Sequence, residues 1–466
     1  MPLQNNIESL LKYIEQNRGF TEYSEQIFQI LEGNLITKLF KTIDEQLSNK
    51  SAQIMKSRAI PLNVLKKIID KLSKLYFEAP ERTTENPVNQ ELIDYYTQEA
   101  NVNIHMGNCN NSFNAYKNTS MEIVENADKR KIEVRSIPSH QFLVWSNNDF
   151  NPLEVTGYIK YMGTIDDGQG RRRNKFWAYT DEEFLSFDSD KNVVREDMQE
   201  NAGVNPFGII PFSYLTRSNY MLIPEVDTDT LRMATMIPLL LSETSFASMF
   251  LANPIIYGVD LDIENLNLSP SVFWDFKSSV DGREPKIGVI KPDLDMTQQI
   301  EYTKDLLSLW LETRNIRAGA LGKMDADNAA SGIALAIREM DTTQDRVNQE
   351  KHFKMFESDF WRRLAIIHNT LASAGRLEER RKFVDPENMD VYVEYADQKP
   401  IIDDQTKIAN VLTLMQAGLI SRRMAIKRIN EDFDDDDVEQ LLNELDSEET
   451  IGSQMAEVQD RDSEGV

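Results

Sequence analysis

The sequence predicts an α+β protein, mainly helical, and three observations predict it. Apolar residues recur in steps of three and four over long tracts near the start, after residue 296 and again towards the end. Between residues 129 and 212 they alternate instead, in short runs separated by Gly, Asp and Asn. At 466 residues the chain is also long enough for two or more core-forming units.

The helical pattern begins at 7–16, and a weaker helix over 25–40 is interrupted at Gly33. Pro61 then opens an amphipathic helix whose apolar face is Val64, Leu65, Ile68, Ile69, Leu72, Leu75 and Tyr76, with Pro80 ending it. Lys66, Lys67, Lys71 and Lys74 lie off that face, as a solvated side would. Strands of meander type are expected at 131–136, 141–145, 155–162, 174–179 and 183–187, and the Gly168 to Arg173 run reads as a basic hairpin tip. A helix over 224–251 carries Glu225, Asp227 and Asp229 early, where the helix dipole favours carboxylates, while Pro238 inside it should bend or split it. A small α/β segment follows, with strands at 255–259, 272–276 and 286–290 and a turn at Gly282.

From 296 to 371 the sequence reads as helix, small-residue loop and much longer helix. Ile300, Thr303, Leu306, Leu307 and Trp310 fall on one face of the first helix, and Glu301, Asp305, Ser308 and Glu312 in a narrow stripe opposite. From Ile316 to Gly332 the glycines, alanines and Asp/Asn make a continuous helix costly. Ile333, Ile337, Met340, Phe353, Phe356, Phe360, Leu364, Ile367 and Leu371 then resume helical spacing. Residues 390–395 alternate as an edge strand, a helix over 404–416 closes at Gly418, and Ser421 caps another through Ala425 and Ile429.

Composition narrows the function. The formal net charge is −26, and from Glu431 onward 15 Asp and Glu face one Arg, so the tail carries more than half of it. Phosphate contacts come from Lys and Arg, so a chain of this charge that handles DNA does so without gripping it. The longest apolar run, Met236 to Leu241, contains Pro238 and is far short of a membrane span, and no secretory signal is visible at the start. Cys109 stands alone, which excludes an internal disulfide framework and a Cys-rich zinc site. His105, His140, His352 and His368 are scattered without metal-ligand spacing. Gly319, Gly322 and Lys323 superficially suggest a phosphate loop, but the glycine spacing fails and Met324 replaces the required Ser or Thr. Asp325 with Asp327, and the run from Asp432 to Asp437, lack the Gly and distal Glu of a calcium loop. No nucleophile constellation is present in the sequence.

The order of these segments resembles the portal proteins of tailed bacteriophages, the head-to-tail connector family, along nearly the whole chain. The residues that carry the resemblance are the Pro61 to Leu72 helix, the Ala252-Asn-Pro-Ile-Ile-Tyr-Gly258 exit from a first stem helix, the Ala330-Ser-Gly-Ile-Ala-Leu335 start of the long helix, and the Met415 to Ser421 step towards a crown. It implies a wing over 1–223, a first stem helix over 224–252, an α/β clip over 253–295, a second stem helix over 296–315, a tunnel loop over 316–332, a long helix and wing strand over 333–398 and a helical crown over 399–446, while composition, acidic and poor in large apolar residues, predicts a disordered tail over 447–466. Pro238 departs from the family's expected stem helix.

The resemblance further implies a structural, non-enzymatic subunit without cofactors. It would form a homo-oligomeric ring of twelve at the capsid's portal vertex, assembled in the host cytoplasm. Double-stranded DNA would cross its channel without sequence specificity, in packaging and in ejection. The partners implied are the terminase large subunit, which carries the ATPase, the major capsid and scaffolding proteins, and head-tail adaptor proteins, with no membrane. Mapped on this chain, the channel residues are Glu301, Lys304, Asp305, Glu312, Lys323 and Met324, the loop hinges Gly319, Gly322 and Gly332, and the adaptor-facing clip residues Trp274, Lys277, Arg283 and Lys286. Helical phase alone does not choose between an acidic stripe facing a channel, facing solvent or pairing with a neighbouring subunit. An acidic helical scaffold or adaptor that binds only protein is the other reading.

Overall fold

The computed structural model describes residues 3–166, 170–198, 203–252, 255–259, 286–290, 295–314, 316, 332–378, 386, 389–396, 408, 411–412, 415, 420–429 and 438–442. They form an α+β chain that divides into two compact units, Met1–Met324 with Asp341–Ala396, and Asp325–Met340 with Asp397–Val466.

The first unit opens with α1 (Ile7–Gln16), α2 (Arg18–Leu31), α3 (Leu35–Gln46) and α4 (Asn49–Ser57). The interruption expected at Gly33 is a full break between α2 and α3, with Gly33 in the left-handed region at φ +100 where a side chain would be strained. Helix α5 (Val64–Leu72) is capped by Asn63, whose side chain accepts from the Lys66 N–H at 3.0 Å. It is shorter than its apolar pattern suggests. Leu75 and Tyr76 lie beyond its end, and the Leu75 N–H turns to the Asn110 side chain at 3.4 Å. Lys66, Lys67 and Lys74 are exposed, as expected.

After β1 (Glu81–Thr83) come α6 (Pro87–Glu99) and α7 (Val102–Tyr116). Then β2 (Asn118–Asn126) forms the middle of a three-stranded sheet, between β3 (Lys131–Ile137) and β8 (Phe212–Thr216). Of the five strands expected as a meander, the first is β3 of that sheet, and the other four form a separate antiparallel sheet of β4 (Phe142–Trp145), β5 (Gly157–Asp166), β6 (Arg172–Tyr179) and β7 (Phe184–Asp188), in sequence order. Asp166 pairs with Arg172 at the turn end of its central hairpin, where the basic tip was expected, although Arg173 folds back to Asp188 and Asp190.

The largest core forms along α10 (Gly332–Ser373), whose first residues through Met340 belong to the second unit. Phe353, Phe356, Phe360, Leu364, Ile367 and Leu371 are all buried, as their spacing predicts, together with Leu92, Ile93 and Tyr96 of α6, Met106, Cys109 and Phe113 of α7, and Met121, Ile123, Ile132 and Val134 of the sheet. Each such side chain contributes about 1.5–3 kcal/mol. Within this core lies a charged hub. Glu357 accepts from Arg82 at 2.5 and 3.0 Å, from the Tyr76 hydroxyl at 2.8 Å and from the Trp361 indole at 3.1 Å. Tyr76 also meets the Tyr395 hydroxyl at 3.1 Å, just after β11 (Tyr392–Glu394), which pairs with β1. Strand, helix and two loops are thereby joined by one carboxylate. His368, buried beside Tyr96 at 2.5 Å, is a hydrogen-bonded core residue.

In the second unit, α11 (Arg422–Ile429) starts as expected, with the Ser421 hydroxyl accepting the Met424 N–H at 3.2 Å and Ala425 and Ile426 buried.

Candidate channel-lining site

Two helices build the site: α8 (Thr228–Ala252) and α9 (Met296–Glu312). Between them in the chain, β9 (Ile255–Val259) and β10 (Lys286–Ile290) pair antiparallel, in the two places the sequence predicts. The third expected strand, 272–276, lies outside the described residues.

Helix α8 runs unbroken through Pro238, against the expectation of a split. Proline removes one helical hydrogen bond, and here burial and a neighbouring segment hold the backbone in place. Pro238 is buried, the Ser242 hydroxyl donates to its carbonyl at 2.6 Å, and the Ile60 N–H donates to that same hydroxyl at 2.9 Å. Tertiary packing therefore overrides the local propensity.

The start of α8 meets the end of α9. Asp227 caps α8 by accepting the Thr230 N–H at 3.2 Å, and its other oxygen takes the Arg314 guanidinium at 2.5 Å and the Lys117 ammonium at 3.3 Å. Arg314 also donates to the Thr230 hydroxyl. Burial pushes the Asp227 carboxyl up, but the hydrogen bond and charge of Arg314, with the Thr230 N–H and Lys117, outweigh it and bring the pKa down to about 2. Trp310, Leu311 and Ile316 pack under this clamp against Ala234 and Ile237 of α8 and Val64, Leu65, Ile68 and Ile69 of α5. A cleft of about 140 Å³ opens beside it, lined by Lys117, Arg217, Asp227, Arg314 and Asp345. Arg217 pairs with Asp345 there at 2.5 Å.

Much of the rest of α9 is exposed. Glu301, Lys304, Asp305 and Glu312 are all exposed, the three carboxylates on the side away from Trp310 and Lys304 on the flank of Leu311. The carboxylates fall within about 40° of one another at 100° per residue. One expectation fails: Ile300, placed on the apolar face, is 42 % exposed, and so are Tyr302 at 54 % and Leu309 at 60 %. The buried sector of α9 is centred on its C-terminal half, where α5 and α8 cover it, and of the expected apolar residues only Thr303 and Trp310 are fully buried. Leu311, which the pattern passes over, is buried as well.

Ile316, the first residue of the expected loop, is 1 % exposed, and its N–H bonds the Leu311 carbonyl at 2.9 Å. Gly332, expected as a hinge, is the first residue of α10. Lys286 is the first residue of β10, paired with Val259. Gly319, Gly322, Lys323, Met324, Trp274, Lys277 and Arg283 lie outside the described residues. Sequence reasoning missed the clamp. Asp227 three residues before Thr230 is a helix-cap signal, whereas nothing local marks Arg314 as its partner.

Among the described residues no group of three His, Cys, Asp or Glu could hold a metal ion, and no helix is long and apolar enough to cross a membrane. Cys109 is buried, and burial pushes its thiol up to about 12. No curated protein matches the chain. A family model described as phage portal protein, SPP1 Gp6-like, matches residues 6–450. That is nearly the whole of a chain whose order runs small antiparallel sheets, the α8 and α9 pair and one long helix, and the chain belongs to this portal protein family.

Proposed function

We propose that the chain is the subunit of a twelve-membered portal ring, and that the exposed stripe Glu301, Asp305 and Glu312 of α9 lines its DNA channel. Family membership supports a structural virion protein at a capsid vertex, in an oligomeric ring that associates with capsid and terminase. The observation that carries the finer reading is the stripe itself: α9 turns Trp310 and Leu311 to its own subunit and three carboxylates to the opposite side.

Repeated around a ring, those carboxylates surround the duplex with charge of its own sign. Repulsion centres the DNA and leaves no phosphate held, so it slides during packaging and ejection. Lys304 on the stem, and Lys323 with Met324 in the 316–332 loop, supply brief contacts that guide without trapping, with Gly319, Gly322 and Gly332 as the loop's hinges. The 253–295 clip, through Trp274, Lys277, Arg283 and Lys286, docks head-tail adaptors and the terminase large subunit. The subunit itself catalyses nothing.

Negative-stain microscopy of the purified protein should show twelve-fold rings with a central channel; monomers under all conditions would overturn the ring. The triple substitution Glu301→Lys, Asp305→Lys, Glu312→Lys should leave rings intact and make them retain double-stranded DNA in a salt-dependent way. Unchanged DNA behaviour would remove the stripe from the channel wall. Deleting residues 319–327 should preserve rings and impair packaging.

A further inference from the structure

The stem has apolar surface that its own subunit leaves uncovered. Tyr302 and Leu309 are among the most exposed apolar side chains of α9, and seven residues apart they fall on one edge, about 20° from each other and beside the acidic stripe. On α8, Met236, Leu240 and Glu243 lie on the side turned away from its buried residues Ala234, Ile237 and Ser242, and are only partly covered. Glu243 there is partly buried, and burial raises its carboxyl above the ordinary value. Tyr302 and Leu309, at 54 % and 60 % exposure, stand two turns apart on that edge.

The heights of these residues agree. The Arg314 contact with Asp227 and Thr230 sets the end of α9 level with the start of α8, and from there the helices run in opposite directions. Five residues back from Arg314 is Leu309, and six on from Thr230 is Met236. Twelve back is Tyr302, and thirteen on is Glu243. Both pairs therefore stand level to within about one helical turn, and the two levels are about 10 Å apart. Where the rotation axis runs along the stem, each residue keeps its height from copy to copy, so an α9 edge set against the α8 face of the next copy meets it at matched levels.

We infer that in the assembled ring Tyr302 and Leu309 of each subunit pack on Met236, Leu240 and Glu243 of the neighbouring copy, the Tyr302 hydroxyl donating to the Glu243 carboxylate. This rests on the ring proposed above, and it assigns α9 two jobs by sector: the acidic stripe for the channel, the apolar edge for the neighbour. The contact is heterologous, as ring closure requires.

The test uses full-length chains and disulfide trapping. The native Cys109 is buried with a raised thiol pKa, so the background is clean. Chains carrying only Met236→Cys are co-expressed with chains carrying only Leu309→Cys, so that a cross-link between the two new thiols joins different copies. Oxidation of rings verified by microscopy should give covalent dimers, at least about tenfold more than the height-mismatched pair Met236→Cys with Tyr302→Cys, whose levels differ by about 9 Å. Equal yields from the two pairs, or rings with no dimers, would overturn the contact. As a second measurement, Leu309→Asp, at an exposed site that leaves the fold intact, should lower the ring fraction at fixed concentration by about tenfold or more. Undiminished rings would overturn it too. If the unsubstituted protein makes no rings, the ring reading falls and takes the contact with it; if rings form and the thiols do not pair, only the contact falls.

Discussion

The α10 core and the α8 and α9 pair come from the same chain and are built on opposite terms. Around α10, apolar side chains from three helices and a sheet close over one another, and even the charges are inside: Arg82 and Glu357 are 3 % and 0 % exposed at their side chains. Along α9 the only full burial is at Thr303, Trp310 and Leu311, while carboxylates and apolar residues alike face outward. The first region is finished within one subunit. The second offers unfinished surface, which is what a ring-forming protein must keep until assembly.

Substitutions separate the two regimes. The largest expected effect is at the hub: Glu357→Ala leaves Arg82 buried without its carboxylate and should cost about 3–5 kcal/mol, read as a drop in unfolding free energy by chemical denaturation of the subunit. A loss under about 1 kcal/mol would mean the hub is not a structural keystone. Next comes the clamp, where Asp227→Asn removes the ion pair but keeps a capping side chain, for about 1–2 kcal/mol.

The clamp also predicts a pH dependence. Asp227 has its pKa lowered to about 2 in the fold, so the stability it contributes is fully present above the unfolded carboxylate value near pH 4 and is lost as pH falls towards 2. In Asp227→Asn that part of the acid loss should be missing from denaturation curves compared between pH 5 and pH 2. The smallest effect on the subunit itself is at Leu309→Asp, within about 0.5 kcal/mol for the dissociated chain. Should it destabilise the lone subunit as much as Asp227→Asn does, the contrast between a finished core and an unfinished α9 surface would not hold.

What was legible in the sequence follows from the same contrast. Helix α10 was readable because one apolar face alternates with one wet face, and β9 and β10 because short β-rich runs stand between breaks. Helix α7 buries Val102, Met106, Cys109, Asn110, Phe113 and Asn114, so it is enclosed on several sides and shows no stripe. Strand β2 hides Asn118, Thr119, Ser120 and Glu122 at the middle of its sheet, and its polar sequence disguises a core strand. In the site, the exposed carboxylates of α9 were legible from phase. The partners Arg314 with Asp227 and Arg82 with Glu357 were not, because they lie 87 and 275 positions apart and no local pattern joins them. Ile300 was misplaced since periodicity says which residues share a face, not how far along the helix a neighbour covers it.

The seat of Ile316 has a mechanical consequence for α9. The chain leaves α9 through a residue seated among Trp310, Leu311 and the α5 side chains, two positions after the arginine that grips Asp227. Tension applied to the segment beyond it is therefore delivered to the end of α9 that the Arg314–Asp227 salt bridge and the α8 cap hold. In the channel proposed above, a duplex that tugged on that segment would load α8 and α9 together through the Arg314–Asp227 clamp.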